Sequence, residues 1–297
     1  MYKIEFQTQY EHNSIYNTVM SQSKQTVGLA RNTIDKYYTS ELAVNACISN
    51  IRQHIDIQTT DIVIEPSAGN GSFITSIKDL TDNSYFYDLE PEDGQITRQD
   101  YLQFDPTEIL QSNPDKNIHI IGNPPFGRQS SLAIRFIKKS CMFCNTISFI
   151  LPRSFKKDSM KKHFPLEFHL IYESDLPENS FMVDNKPHNV PCVFQIWEKR
   201  QPLRDIPVKL TPEHYTFVSK TDNPDISFRR VGVYAGKIDK EVDSKSPQSH
   251  YFIKFIPQIS NDTFDVLCNI HYECKDHTVG PKSISKQELI KEFNKIL

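Results

Sequence analysis

The fold is decided by the stretch Ile62-Val63-Ile64-Glu65-Pro66-Ser67-Ala68-Gly69-Asn70-Gly71-Ser72-Phe73, in which a short apolar run leads into two closely spaced glycines. Such a run ending in glycines is typical of a buried strand followed by a tight turn into a helix. Glycine permits the turn because it adopts backbone angles that a Cβ atom would forbid, and it lets a ligand approach the backbone closely. The stretch therefore predicts the first strand, turn and helix of a nucleotide-binding sheet.

Glu65 distinguishes this turn from the kind of glycine turn that binds a dinucleotide. The dinucleotide pattern is Gly-x-Gly-x-x-Gly, and Ile74 stands where the third glycine is expected. A carboxylate at the end of the strand would repel a diphosphate, whereas it suits the ammonium or sulfonium charge of S-adenosyl-L-methionine. We therefore predict S-adenosyl-L-methionine as the cofactor, bound at Glu65, Ser67, Gly69 and Gly71.

Further acids follow the glycine turn at the ends of the next predicted strands. Asp88 lies close to the offset of about 20 residues at which an acid receives ribose hydroxyls in nucleotide-binding folds. Glu90 is the alternative for that role. Asp100 is placed to accept a hydrogen bond from an adenine amine. A single acid of this kind is usually an exposed loop carboxylate, but the order and spacing of the acids after one glycine turn favour a shared cofactor site.

Apolar runs and helical patterns alternate through the central two hundred residues, which predicts parallel βαβ units. Helices are predicted at 40–55, 71–80 and 130–139. Strands are predicted at 61–65, 84–88, 96–100, 117–122, 146–151, 168–173 and 191–198. The expected fold class is α/β, a Rossmann-like seven-stranded sheet with helices on both faces and a smaller β-rich C-terminal region.

Three regions are predicted along the chain. Residues 1–30 form an N-terminal arm, 31–200 the catalytic domain and 201–297 an accessory region that could recognise the target. The accessory region is rich in proline and has strand-like pieces at 231–234 and 251–255. The segment that begins Ser285-Lys-Gln-Glu288 has the capping box and the apolar spacing of a closing helix.

The tetrapeptide Asn123-Pro124-Pro125-Phe126 follows the predicted strand 117–122 directly. Two prolines fix φ twice and remove two backbone donors, so the strand ends and nearby carbonyl groups point in set directions. An adenine amine could donate one hydrogen bond to the Asn123 side chain and one to the Pro124 carbonyl. Both bonds draw its nitrogen towards tetrahedral geometry and free the lone pair. Phe126 offers a face on which the base can stack. A diproline turn that merely closes a strand is the alternative.

Two basic groups lie next to this motif in sequence. The segment 153–163 holds five positive charges against one negative, and Arg128 follows the tetrapeptide. A solvated helix face is one interpretation, and contact with nucleic-acid phosphates is the other. The predicted nucleic-acid contacts are Arg128, Arg153, Lys156, Lys157, Lys161 and Lys162.

Together the motifs resemble those of the class I S-adenosylmethionine-dependent N6-adenine methyltransferases. The resemblance rests on Glu65-Pro-x-x-Gly69-x-Gly71 followed by Asn123-Pro-Pro-Phe126, the order of motifs in the gamma group. The segment 35–41 resembles the family's motif X, with Ser40 where proline is usual. The segments 149–155 and 189–197 resemble the loop that lines the base pocket and the late hairpin strand.

That resemblance covers about residues 35 to 200. It implies the seven-stranded class I methyltransferase sheet, and it places Thr39 and Asn123 beside the cofactor. The implied activity is direct methyl transfer to the N6 amine of adenine in DNA, which is favoured over RNA. The alternatives are an RNA adenosine methyltransferase, including one for the cap-proximal adenosine, a protein glutamine methyltransferase, and a non-catalytic nucleic-acid-binding partner.

Composition limits the other classes of function. The chain has 297 residues, a net charge of −3 and 38% hydrophobic residues, which is typical of a globular protein. It has no apolar run near the roughly 20 residues that span a bilayer, so a cytoplasmic or nuclear protein without a membrane partner is expected. Cys141/Cys144 and Cys268/His271/Cys274 have spacings that could hold a metal, but free thiols are the preferred interpretation and no metal is predicted.

Overall fold

The computed structural model describes residues 37–183 and 186–297, which belong to one compact unit. The predicted arm at residues 1–30 lies outside the described residues. The start of the predicted catalytic domain at residue 31 does so too.

The described residues form strands and helices that we number along the chain. The helices are α1 Glu41–His54, α2 Ile74–Lys78, α3 Thr107–Ser112, α4 Ser131–Cys141, α5 Asp158–Lys161, α6 Asn261–Cys268 and α7 Lys286–Phe293. The strands are β1 Tyr38–Thr39, β2 Ile62–Glu65, β3 Asn83–Asp88, β4 Thr97–Arg98, β5 Ile118–Gly122, β6 Thr146–Pro152, β7 Phe168–Asp175, β8 Phe181–Val183, β9 Lys186–His188, β10 Cys192–Lys199, β11 Tyr215–Val218, β12 Ile226–Arg229, β13 Ile238–Asp239 and β14 His250–Phe255.

The central sheet has seven strands in the order β4-β3-β2-β5-β6-β10-β7. Strands β4, β3, β2, β5 and β6 run parallel, and β10 runs antiparallel to both β6 and β7. The predicted Rossmann-like sheet of the α/β class is thereby confirmed. All seven predicted strands are present, although the one predicted at 96–100 is only Thr97–Arg98.

Helices cover both faces of this sheet, as the apolar patterns predict. On one face, α1 and α2 bury Val44, Ile51 and Ile77 with strand residues such as Val63. On the other face, α4 buries Phe136 and Ile137 in a second core cluster that includes Ile120 of β5. Strands β2, β5 and β6 are buried along their whole length, as expected for parallel strands covered by helices on both sides.

The carboxyl ends of β2, β3 and β5 meet at one edge of the sheet. Strand β2 lies between β3 and β5 and is parallel to both, so the chain order changes direction between β2 and β5. A crevice outside the carboxyl ends of the strands at such a switch point is where open α/β sheets bind ligands. The fold thus brings the loops after Glu65, Asp88 and Gly122 to one place.

A small sheet of order β1-β8-β9 was not predicted. Strand β1 pairs antiparallel with β8, so that Thr39 lies opposite Phe181. Ser40 then caps α1: its hydroxyl accepts a hydrogen bond from Ala43 N. Its backbone N–H donates to Ser180 O at 2.8 Å, a bond that a proline at this position could not make.

The accessory region forms its own four-stranded antiparallel sheet, β11-β14-β12-β13, as its β-rich prediction requires. Its core, which includes Phe228, Ile253 and Phe293, is separate from the two clusters of the central sheet. Helix α7 begins with the predicted capping box of Ser285 and Glu288. The strand predicted at 231–234 is wrong, because these residues form a turn apart from one bridge at Val231.

The helices also differ from the prediction in two respects. The helix predicted at 71–80 is shortened to Ile74–Lys78, because residues 70–73 continue the glycine turn. Helix α6 was not predicted. Within the described ranges, no helix is long and apolar enough to cross a membrane.

Candidate active site

The glycine turn is held against the end of β3 by Asp88. Gly69 and Gly71 have φ angles of 56° and 84°, which favour glycine. Gly69 N donates to Asp88 Oδ2 at 2.8 Å, and Glu90 N donates to Asp88 Oδ1 at 2.8 Å. The Asp88 carboxylate therefore joins the glycine turn to the loop that follows β3. The Glu90 side chain, which is the alternative for the ribose, is exposed.

Glu65 lies at the floor of the same site. It is only 2% exposed, and its Oε2 atom has no hydrogen-bond partner among the described residues. Burial, followed by the nearby negative charge of Asp88, raises the pKa of Glu65 well above its ordinary value. Gly122 leaves room for it, because a Cβ atom at residue 122 would lie 3.2 Å from Glu65 Cγ. A buried carboxylate without a partner is favourable only if it stays protonated or meets a cation.

Asn123 is hydrogen-bonded through both its side chain and its backbone. Its Nδ2 atom donates to Thr39 Oγ1 at 3.3 Å and to Tyr37 O at 3.4 Å. Its backbone carbonyl accepts a hydrogen bond from Ser67 Oγ at 3.1 Å. The structure thus brings together Thr39 of β1, Ser67 of the glycine turn and Asn123, which lie in three separate parts of the sequence.

The rest of the tetrapeptide turns directly into α4. Pro124 is buried, and Phe126 is partly buried and packs against the core clusters on both faces of the sheet. Gly127 has a φ of 66°, and a Cβ atom there would lie 2.8 Å from Leu132 Cγ. The loop therefore needs a glycine at residue 127 for both its backbone angle and its space.

Tyr37 and Tyr38 extend the site beyond the predicted residues. Tyr38 lies 3.7 Å from the position of a Cβ atom on Gly69, and its hydroxyl donates to Glu92 Oε1 at 2.6 Å. The Tyr37 ring stacks on His188 of β9 at a centroid distance of 5.4 Å. The aromatic pair Tyr37-Tyr38 in motif X was the available signal for these contacts, whereas nothing near His188 in the sequence points to them.

Asp100 is near the site but already serves the backbone. Its Oδ1 atom accepts a hydrogen bond from Leu102 N at 2.9 Å and so caps the short 3₁₀ helix Tyr101–Gln103. The neighbouring Gln99 N donates to Asp88 O at 2.8 Å, which places this loop beside the end of β3. The role of Asp100 towards an adenine amine stays a prediction.

Most of the basic segment predicted to bind nucleic acid is paired with carboxylates. Arg153 and Lys156 lie 3.3 and 2.8 Å from Asp175, and they hold its pKa below the ordinary value against the effect of burial. Lys161 lies 3.2 Å from Glu173. These pairs reduce the positive charge that the segment offers to a polyanion.

Three further predicted contacts differ in their surroundings. Lys157 Nζ lies 3.3 Å from Glu288 of α7 and donates to Ser283 O at 2.8 Å, so it joins the segment after β6 to the accessory region. Arg128 and Lys162 are exposed, and no ion pair is recorded for either within residues 37–183 and 186–297. They are the cations of this set that remain most available to a phosphate.

The cysteines are all free thiols. Cys141 and Cys144 are buried, and burial raises the pKa of both. No group of three His, Cys, Asp or Glu residues that could hold a metal occurs within the described part of the chain.

Among known proteins, the chain is similar to solved structures at low sequence identity. No family model matches it, and no curated protein matches it. Among solved structures, it is similar to the 23S rRNA methyltransferase ErmE, with 14% identity over 56% of this chain and 71% of that one and a TM-score of 0.41.

Two other solved structures are similar at the same level. An rRNA methylase from Streptococcus thermophilus has 14% identity over 54% of this chain and 97% of that one, with a TM-score of 0.34. The N-methyltransferase NodS from Bradyrhizobium japonicum, in complex with S-adenosyl-L-homocysteine, has 9% identity over 53% of this chain and 87% of that one, with a TM-score of 0.38.

Proposed function

We propose that this protein transfers a methyl group from S-adenosyl-L-methionine to the N6 amine of adenine in a nucleic acid. The observation that carries the proposal is the fixed Asn123 amide beside an acid-bearing glycine turn at the carboxyl edge of the sheet. The site thereby combines a place for a cationic nucleotide cofactor with oriented acceptors for an amine.

The residues of the turn fit the proposed cofactor. Glu65 Oε2, which has no hydrogen-bond partner among the described residues, would offer a negative charge to the ammonium or sulfonium group of the cofactor, whereas it would repel the diphosphate of a dinucleotide. Gly69 and Gly71 form the tight turn with positive φ angles, and Asp88, which accepts hydrogen bonds from Gly69 N and Glu90 N, is the proposed partner of the ribose hydroxyls. When bound, the cofactor supplies an electrophilic methyl group on a positively charged sulfur.

The Asn123 amide is oriented by its partners. A backbone carbonyl can only accept hydrogen bonds, so the amide nitrogen of Asn123 faces Tyr37 O and the oxygen Oδ1 faces away. No donor within the described residues occupies Oδ1. Asn123 Oδ1 and Pro124 O are then the two acceptors offered to an incoming amine.

These acceptors activate the amine without a covalent intermediate. The N6 lone pair of adenine is conjugated with the ring, and hydrogen bonds from both N–H groups favour a tetrahedral nitrogen. The nitrogen attacks the methyl carbon, the carbon–sulfur bond breaks, and the electron pair remains on sulfur. The nitrogen then releases one proton to solvent, so the products are N6-methyladenine and neutral S-adenosylhomocysteine.

Thr39 and Ser67 act in this proposal as positioning residues. Thr39 fixes the Asn123 side chain, and Ser67 fixes the Asn123 carbonyl from within the cofactor turn. Fixed acceptors need no reorganisation when the amine reacts, which is the main advantage of a preorganised polar site. Thr39 lies on β1, which β8 holds in place.

DNA is the proposed polymer, and RNA adenosine is the second candidate. Asn123 and Pro124 would accept hydrogen bonds from the adenine N6 amine, which is the same in DNA and RNA. A duplex substrate must extrude its adenine, at a cost of a few kcal/mol, before the amine can reach these acceptors. Arg128 and Lys162, which are both exposed, are the proposed phosphate contacts from the predicted catalytic domain.

The proposal is tested by incubating the protein with S-adenosyl-L-methionine tritiated on its methyl group and, separately, with DNA, RNA and a cell-protein extract. We expect label in nucleic acid and none with an Asn123→Ala variant. Label only in protein, or label in none of the three, would overturn the proposal.

A further inference from the structure

The turn between β12 and β13 displays two apolar side chains to solvent. Val233 is 82% exposed and Tyr234 is 71% exposed. The flanking Gly232 and Gly236 have φ angles of 98° and 99°, and Ala235 between them is buried. Ala235 therefore packs inward and anchors the turn, while the side chains of Val233 and Tyr234 face solvent.

This turn is fixed on both sides by hydrogen bonds. Arg229 Nε donates to Val231 O at 2.8 Å, and Gly232 N donates to Lys282 O at 2.9 Å. Ile284 N donates to Arg230 O at 2.9 Å. A contact surface held in this way loses little conformational entropy when it binds a partner.

The sequence segments that flank and support the turn are basic. The segment 229–237 contains three basic residues and no acidic one, and the neighbouring segment 280–286 contains two basic residues and no acidic one. Of these, Lys237 is exposed, and Lys282 is half exposed and paired with Asp276 at 2.7 Å. A turn that displays an aromatic ring and is flanked by basic residues is complementary to a polyanion with stacked bases.

The turn is connected to the active-site edge of the central sheet. Val231 forms a bridge with Ser283, and Ser283 O accepts the hydrogen bond from Lys157 Nζ at 2.8 Å. Lys157 follows the 3₁₀ helix Arg153–Lys156, which begins where β6 ends. Strand β6 is parallel to β5, so its end lies at the same edge as Asn123.

We propose that the turn 231–236 binds the single-stranded part of the nucleic acid that flanks the target adenine, with a base stacked on Tyr234. The inference rests on the proposed function and names the surface that holds its substrate. Lys237, which directly follows the turn and is exposed, contacts a phosphate, and the ring of Tyr234 binds without regard to base identity, because every base has a π-face.

The test measures binding without methyl transfer. Fluorescence anisotropy gives the dissociation constant of labelled single-stranded DNA and RNA oligonucleotides for the wild-type protein and for Tyr234→Ala, Tyr234→Phe and Met142→Ala. Met142 is 76% exposed and lies at the end of α4, which leads back to the start of β6 and so to the opposite edge of the sheet. It is therefore a matched control for loss of an exposed apolar side chain.

We expect Tyr234→Ala to weaken binding about tenfold, in line with stacking of one base, while Tyr234→Phe and Met142→Ala bind as the wild type does. Lys237→Ala should lower the slope of log affinity against log salt by about one, whereas Tyr234→Ala should leave that slope unchanged. Thermal melting checks that each variant is folded.

Several outcomes overturn the inference. One is equal affinity of the wild type and Tyr234→Ala for both oligonucleotides, and another is no binding by the wild type. A concentration-dependent dimer that Tyr234→Ala abolishes while oligonucleotide affinity is unchanged would assign the turn to a protein contact. Because binding is read without cofactor, the proposed methyl transfer can fail or succeed independently of this result.

Discussion

Thr39 Oγ1 lies 3.3 Å from Asn123 Nδ2, so a hydroxyl on the small β1-β8-β9 sheet contacts the amide at the end of β5. The Tyr37 carbonyl is the second acceptor for the same nitrogen. Together these contacts leave Asn123 Oδ1 as the amide atom available to a substrate. Thr39 was predicted from the sequence as a cofactor contact, and the structure shows that it contacts Asn123 of the predicted catalytic tetrapeptide.

Thr39→Val tests this relationship, because valine keeps the shape of threonine and removes the hydroxyl. We expect kcat for methyl transfer to fall about threefold to tenfold, the effect of one lost hydrogen bond. The cofactor dissociation constant, measured by calorimetry, should stay near that of the wild type. Thr39→Ser should restore kcat. A large loss of cofactor affinity with unchanged kcat would mean that Thr39 contacts the cofactor and does not position Asn123.

Asp88→Ala tests the ribose assignment. The variant removes the acceptor for Gly69 N and Glu90 N as well as the carboxylate offered to a ribose. We expect the cofactor dissociation constant to rise at least about tenfold, because a charged hydrogen bond contributes roughly 1.5 to 3 kcal/mol. Glu90→Ala is the control and should bind cofactor normally. If Glu90→Ala shows the larger loss, the ribose role belongs to Glu90.

Glu65 predicts a pH dependence of stability. Burial and Asp88 raise its pKa in the folded, cofactor-free protein. The folded state then holds a proton that the unfolded chain loses near pH ~4.3, so the free energy of unfolding falls as the pH rises from that value through the folded pKa. Glu65→Gln carries no titrating proton and should lack this decrease. Urea unfolding across roughly pH 5 to pH 8 measures both slopes; parallel slopes would contradict the assignment.

Lys157 predicts a difference in stability between two neighbouring cations. Its ammonium is largely buried between Glu288 and Ser283 O, whereas Lys162 is exposed. Lys157→Met should lower the free energy of unfolding by about 2 kcal/mol, because it leaves the mostly buried Glu288 carboxylate without its cation. Lys162→Met should change it by less than about 0.5 kcal/mol. Equal stabilities in urea unfolding would mean that the contact of Lys157 with the accessory region does not stabilise the fold.

The central sheet was predictable because its strands are short apolar runs bounded by turn residues. Strand β2 begins within one residue of its predicted start and ends at Glu65 as predicted. The β8-β9 hairpin was missed because its residues pair with β1, more than a hundred positions away in sequence. The segment 231–234 resembles a strand by composition, but the positive φ of Gly232 makes it a turn.

In the candidate site, the residue types could be predicted from local sequence, whereas their partners, which are distant in sequence, could not. The residue types at Glu65, Asp88 and Asn123 carry chemistry that local pattern can predict. The partner of Asn123 at Tyr37 is a backbone carbonyl, which leaves no mark in the residue type. The carboxylates opposite the basic segment 153–162 come from β7 and α7, so only the structure could show that these cations are paired.

The central claim is methyl transfer to an adenine amine. The direct measurement is mass spectrometry of nucleosides after DNA and RNA are incubated with the protein and S-adenosyl-L-methionine carrying a deuterated methyl group. We predict N6-methyladenine bearing the heavy methyl group, with deoxyribose or ribose identifying the polymer, and none of it with Asn123→Ala. Heavy methyl on cytosine or on an adenine ring nitrogen, or in neither nucleic acid, would contradict the account.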